Sequence, residues 1–201
     1  MFHISYFVSL TSYIFLGVFM SIRPATLADV PAMLAIYQPY VANTTYSFEY
    51  TGPTEAEFTE RFLQYTVKYP WLVWEDPEDG VIGYAYASPM AVRASYQWSA
   101  DASIYIRESC HGAGIGRALY TALEDALKRL GYHNIIAIIT EENSGSRAFH
   151  EKMGYEHIMD LPHIGFKFGR WLGISYYCKR IAEGNPAGTP KIWDPSEWKT
   201  K

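Results

Sequence analysis

Between Cys110 and Leu119 the chain reads CHGAGIGRAL, with Gly112, Gly114 and Gly116 alternating directly before a helical pattern. This stretch restricts the fold more than any other. Backbone amides without an adjacent Cβ can converge on an anion, and a helix opening at that point adds partial positive charge at its N-terminus. A strand-loop-helix unit able to hold a pyrophosphate is predicted. The alternative is a plain strand-to-helix turn whose glycines serve only positive φ. Two nucleotide motifs are excluded by counting. A dinucleotide site needs G-x-G-x-x-G, yet the sixth position from Gly112 is Arg117 and from Gly114 is Leu119. A P-loop ends in Gly-Lys-Ser/Thr, and here Gly116 runs into Arg117 and Ala118.

The surrounding pattern alternates strands and helices. A short strand is predicted over residues 21–26, then a helix over 29–41 with Val30, Met33, Leu34 and Tyr37 at helical spacing. A second helix is predicted over 54–69, opened by Thr54 and Glu57 as a capping box and ended by Pro70. WLVWE and VIGYAYAS read as strands joined by the turn DPEDG, and ASIYI (102–106) as the strand leading into the glycine loop. Leu119, Leu123, Leu127 and Leu130 make one stripe of a helix over 117–130 that stops at Gly131. NIIAIIT is a continuous apolar run, expected as a buried strand. A helix over 144–153 and two strands around GFKFGRW follow. The reading is mixed α/β with a central sheet.

A length of 201 residues suits one folded domain. The net charge of −4, with Lys and Arg scattered, gives no nucleic-acid surface. Cys110 and Cys178 lack metal-ligand spacing and read as two reduced thiols. Residues 4–20 are apolar and uncharged, short for a membrane span and without the basic start of a signal peptide. They are expected to be an extension outside the fold, with a membrane anchor as the second reading. The domain is expected over residues 21–181 and a loosely ordered tail, rich in Gly, Pro and Lys, over 182–201.

The order of strand, x-G-x-G-x-G loop, amphipathic helix, buried strand, Asn143 and SRAFHEKMGY resembles the GNAT superfamily of acetyl-CoA-dependent N-acetyltransferases. The family loop is Q/R-x-x-G-x-G/A, so His111 departs from its first position. YPWLVWE, SYQWSADASIYI, GIGRALYTAL, SRAFHEKMGY and GFKFGRW look like the branch that acetylates phosphinothricin and methionine sulfoximine. The resemblance implies a central mixed, splayed β-sheet flanked by helices. It implies a cytoplasmic enzyme, a homodimer, with acetyl-CoA as co-substrate, no metal and a small-molecule amine as acceptor.

The resemblance also implies roles. His111, Gly112, Ala113, Gly114, Ile115, Gly116 and Arg117 would hold the pyrophosphate, with backbone groups of Ile104, Tyr105 and Ile106 on the pantetheine arm and Asn143 either bonding that arm, as the resemblance implies, or capping its helix. Asp101 stands where the family carries Glu and would be the general base. His150, where many members carry Tyr, would protonate the departing thiolate. Arg93 could pair with an amino-acid carboxylate, although MAVR keeps only one element of the family's W-R/K-x-R pattern. Phe48 and Ser103 are assigned to the acceptor, with Tyr46 and Trp98 as further aromatic candidates. A protein N-terminal or lysine acetyltransferase and a non-catalytic acyl-CoA-binding sensor are the competing functions.

Overall fold

The computed structural model describes residues 21–198. The expectation for residues 1–20 lies outside the described residues. Seven strands form one sheet in the order β1-β2-β3-β4-β5-β7-β6. They are β1 (Ser21–Pro24), β2 (Trp71–Asp76), β3 (Gly80–Pro89), β4 (Ser99–Ile106), β5 (Asn134–Thr140), β6 (Glu156–Lys167) and β7 (Arg170–Arg180). The helices are α1 (Val30–Asn43), α2 (Glu55–Thr66), α3 (Ile115–Leu130) and α4 (Ser144–Lys152).

Strand alternation divides the core between the two faces of the sheet. Leu72, Ile82, Ala85, Ala87, Ala100 and Ala102 point to α3, where Leu119, Leu123 and Leu127 are fully buried against them. Trp71, Val73 and Tyr84 point to the opposite face, covered by Met33 and Tyr37 of α1 and Phe58 and Phe62 of α2. Trp71 is the centre of that face, with its ring 5.3 Å from Phe62 and 4.1 Å from Tyr86. Truncating such a buried Trp costs about 3–5 kcal/mol.

Local signals set the helix ends. Thr54 accepts from the Glu57 amide, and Glu57 returns the bond, as the capping box requires. Gly131 ends α3 in the left-handed region at φ 92°, its N–H donating to Leu127 and Lys128 carbonyls. Helix α1 runs past the expected Val41 to Asn43, with Pro39 inside it.

The sheet opens at one place. Strands β4 and β5, the only parallel neighbours among the described residues, pair from Ser99 to Asp101 with Asn134 to Ile136 and then separate. Beyond Asp101 the β5-facing edge of β4 has no strand partner. Strand β5 is therefore not buried throughout: Ile138 is 45% exposed at the gap.

The tail also differs from expectation. Among its described residues, 182–198, there is no helix or strand beyond one 3₁₀ turn at Pro195–Glu197, yet this part is docked. Lys191 N–H donates to Leu130, Trp198 Nε1 to the Ile22 carbonyl, and Trp98 Nε1 to Gly188. Trp193 and Trp198 pack against the α3-side core. Apolar burial of two indoles does what backbone propensity does not.

Candidate active site

The gap between β4 and β5 is a cleft of about 80 Å³. Its walls include Ser103, Ile104 and Tyr105 of β4, Ile138 and Thr140 of β5, and Tyr40 and Tyr46 from the α1 side. Tyr120, Asn143, Ser146 and His150 close it from the helices on the other face.

The glycine loop lies at the end of β4. Gly112 and Gly114 have φ 82° and 83°, and a Cβ on either would meet nothing within 4 Å. Their glycines thus serve both backbone conformation and an open approach. Gly114 is the N-cap of α3, so the amides of Ile115, Gly116 and Arg117 head the helix without intrahelical acceptors. Gly116 has a different duty. Its missing Cβ would come 3.2 Å from Ile106 Cδ1, so it allows α3 to sit close on β4. The cradle is held from α1. Tyr40 Oη donates to the Ile106 carbonyl at 2.5 Å and lies 2.9 Å from His111 Nε2. His111, Gly112, Ala113, Gly114 and Arg117 are exposed, whereas Ile115 is buried beneath them.

Alternation along β4 separates the two polar groups assigned to proton transfer. Asp101, Ser103 and Tyr105 lie on the tyrosine-rich α1/α2 face, where Tyr105 packs 5.5 Å from Tyr84 and Ser103 hydrogen-bonds Tyr86. Asp101 is part of β4, opposite Ser88 and Ile136. Burial pushes its carboxyl up to about 7, against the partial effect of a bond from the Ala102 amide.

His150 belongs to the opposite face and is 3% exposed. Its Nδ1 lies 2.8 Å from the Ser146 carbonyl, and its Nε2 lies 2.9 Å from Tyr120 Oη. A carbonyl only accepts, so Nδ1 carries the proton and Nε2 faces the phenol as an acceptor. Burial lowers the imidazole from its ordinary range, so the ring is neutral at pH 7. The Tyr120 proton has two acceptors, this Nε2 and the Ala102 carbonyl at 3.1 Å. Burial, with the Asp101 charge second, holds the Tyr120 phenol protonated.

Tyr120 is the residue sequence reasoning missed. It follows the stripe residue Leu119 and reads as core; only its hydroxyl, one turn past the glycine loop, was a signal. Asn143 is the N-cap of α4, accepting from Ser146 N–H, and also lines the cleft. Tyr46 and Ser103 line it as well. Phe48 instead lies on β6, so close to Gly165 that a Cβ there would meet its ring at 2.2 Å. Arg93 is exposed in the β3–β4 connection and is not in the wall of the cleft. The Trp98 indole is turned to the tail. Among the described residues no group of three or more His, Cys, Asp or Glu side chains could hold a metal, and no helix is long and apolar enough to cross a membrane.

A slot between parted strands, with a helix N-terminus at one end, fits an extended ligand ending in phosphates. The residues present fit coenzyme A: open glycines, free amides and an unpaired strand edge. This is the architecture of an acyl-CoA-dependent transferase. The profile described as "Acetyltransferase (GNAT) domain" matches residues 22–173, and the chain belongs to that family of acetyl-CoA-dependent acetyltransferases. The phosphinothricin N-acetyltransferase of Streptomyces viridochromogenes is 33% identical over 156 residues, 78% of this chain and 85% of that protein. The L-methionine sulfoximine/L-methionine sulfone acetyltransferase of Pseudomonas aeruginosa is 34% identical, covering 78% of this chain and 91% of the relative. The crystal structure of a phosphinothricin acetyltransferase from Sinorhizobium meliloti in complex with AcCoA is similar with a TM-score of 0.80 at 34% identity. That alignment covers 88% of this chain and 97% of the other.

Proposed function

We propose that this protein acetylates the amine of a small amino-acid-like acceptor of the phosphinothricin or methionine sulfoximine type. The reading is supported by one observation: Tyr120 and His150 line the gap that opens where β4–β5 pairing ends at Asp101, whose side chain lies on the opposite face of the sheet and outside the cleft wall. A base and an acid separated in this way can serve an amine entering on one side and a thiolate leaving on the other. Asp101, with its carboxyl near neutrality, accepts the proton from the incoming ammonium, directly or through water. The Tyr120 hydroxyl, oriented by its bond to His150 Nε2, gives its proton to the departing thiolate, and the phenolate left behind takes one back from water. Loop amides 112–117 and the free β4 edge hold and orient the co-substrate, and one amide there can favour charge on the thioester oxygen.

Acetylation removes the ammonium charge of the acceptor, which suits disarming a toxic amino-acid analogue. We assign the protein to the cytoplasm, where acetyl-CoA is supplied. We also assign it a homodimeric state. Ile158, Ile164, Phe166 and Trp171 of the β6–β7 hairpin are 56%, 55%, 45% and 59% exposed, a patch that a second copy would cover. Sedimentation at a dimer mass supports this, and a monomer at all concentrations refutes it.

The activity test is release of free thiol from acetyl-CoA with phosphinothricin, methionine sulfoximine and a panel of amino acids. Turnover with either analogue is expected. Acetyl-CoA binding with no small-amine turnover favours the sensor.

A further inference from the structure

Strand β6 is inverted in one respect. Its apolar residues Ile158, Met159, Ile164 and Phe166 are exposed, while the buried residue is its last, Lys167, at 2% exposure. Lysine is almost never fully buried unless its charge is met. Here Nζ donates to the carbonyls of Val41, Thr44 and Ser47 at 2.7, 2.9 and 2.7 Å. Three acceptors require three protons, so only the ammonium satisfies all of them. The Val41 carbonyl belongs to the last turn of α1, where a cation is also favoured by the helix dipole. The turn that follows holds Phe168 at φ 51°, in the left-handed region, with its ring 4.9 Å from Nζ.

The backbone gripped by Lys167 leads into the wall of the cleft. Tyr46 lies between two of the held carbonyls and lines the cleft. A second tie reaches the same segment from β5, because Thr140 Oγ1 donates to the Thr45 carbonyl at 2.7 Å. The Thr45 hydroxyl in turn bonds Glu142, which is paired with Arg170. We propose that Lys167 is a positioning residue for the acceptor amine, fixing the 44–47 segment and with it the Tyr46 wall of the cleft. This rests on the acceptor-side reading given above.

Lys167→Met and Thr140→Val are compared with wild type in steady-state assays with acetyl-CoA and L-methionine sulfoximine, in acetyl-CoA calorimetry and in amide hydrogen exchange. A folded Lys167→Met protein is expected to raise the amine KM about tenfold or more, with acetyl-CoA affinity within about twofold, because positioning binds acceptor and not co-substrate. Thr140→Val should raise it about threefold, one hydrogen bond being lost where Lys167 loses three. An unchanged amine KM in folded Lys167→Met overturns the proposal, as does an equal loss of both affinities. If Lys167→Met does not fold, an unchanged KM in Thr140→Val overturns it. If wild type does not turn over the sulfoximine, the function proposed above fails separately, and exchange decides. Faster exchange confined to amides 44–47 in either variant supports positioning; unaltered exchange there refutes it.

Discussion

The two sides of the cleft are built by different means. The co-substrate side is nearly one contiguous piece, from Ala102 through the glycine loop to Tyr120. The groups proposed to hold the co-substrate there are backbone amides, and its side chains mostly pack. The proposed acceptor side is assembled from distant segments: Tyr46 and Thr140 in the cleft wall, Asp101 where β4–β5 pairing ends, and, behind them, Lys167. Its contacts span more than ninety residues of chain, as in the Thr140–Thr45 bond. Backbone recognition tolerates drift in side chains, such as His111 at the loop's first position. Side-chain recognition over long range does not, so losses on the two sides should differ in kind.

The largest effect is expected at Asp101. Asp101→Asn should lower kcat/KM about 10²-fold or more at neutral pH, with partial recovery as pH rises and the free amine becomes available. In wild type only the carboxylate can accept a proton, so kcat/KM should fall as pH drops through about 7. The stability effect has the opposite sense. A carboxyl raised by folding from 3.8 to about 7 holds its proton better in the folded chain, so stability declines as pH rises across that interval. Asp101→Asn should therefore melt higher than wild type at alkaline pH and nearly the same at acid pH. Equal activity across the range removes Asp101 from the chemistry, leaving water to take the proton.

Next come the two residues of the opposite face. Tyr120→Phe and His150→Phe should each reduce kcat by about 10²-fold with little change in acetyl-CoA affinity. Because they act as one unit, the double variant should be little worse than the poorer single one. A multiplicative loss would separate their roles, and normal kcat in His150→Phe would leave that ring to packing.

A smaller effect tests the backbone side. Gly114→Val places a β-branched residue at φ 83° beside the α3 amides. Acetyl-CoA should bind about tenfold more weakly, while the amine KM stays nearer wild type. Calorimetry showing unchanged affinity in a folded variant would break the cradle assignment.

The smallest effect lies away from both sides. Trp198→Ala removes the indole that bonds Ile22 and stacks beneath Arg129. A loss near 1 kcal/mol should lower Tm by about 2–4 °C, with kcat/KM unchanged. A change in activity would tie the tail to the site.

What the sequence by itself determined was local. The capping box at Thr54 and Glu57, the stop at Gly131 and the glycine turn before α3 each follow from chemistry within a few residues. The leucine stripe likewise fixed which face of α3 is buried. Asp101 and His150 became acid-base candidates through the family resemblance, since residue type alone would leave each a structural or solvated side chain. The rest was decided by tertiary structure. Sheet register ends β4–β5 pairing at Asp101 and so opens the cleft there, exposing Ile138 within an apolar run. Helix packing brings the Tyr120 hydroxyl to His150, thirty positions away. A buried lysine on the last hairpin meets carbonyls more than a hundred residues earlier. Local propensity cannot encode such meetings, because they arise only when separate elements bury their apolar faces together and leave each polar atom to find the nearest partner.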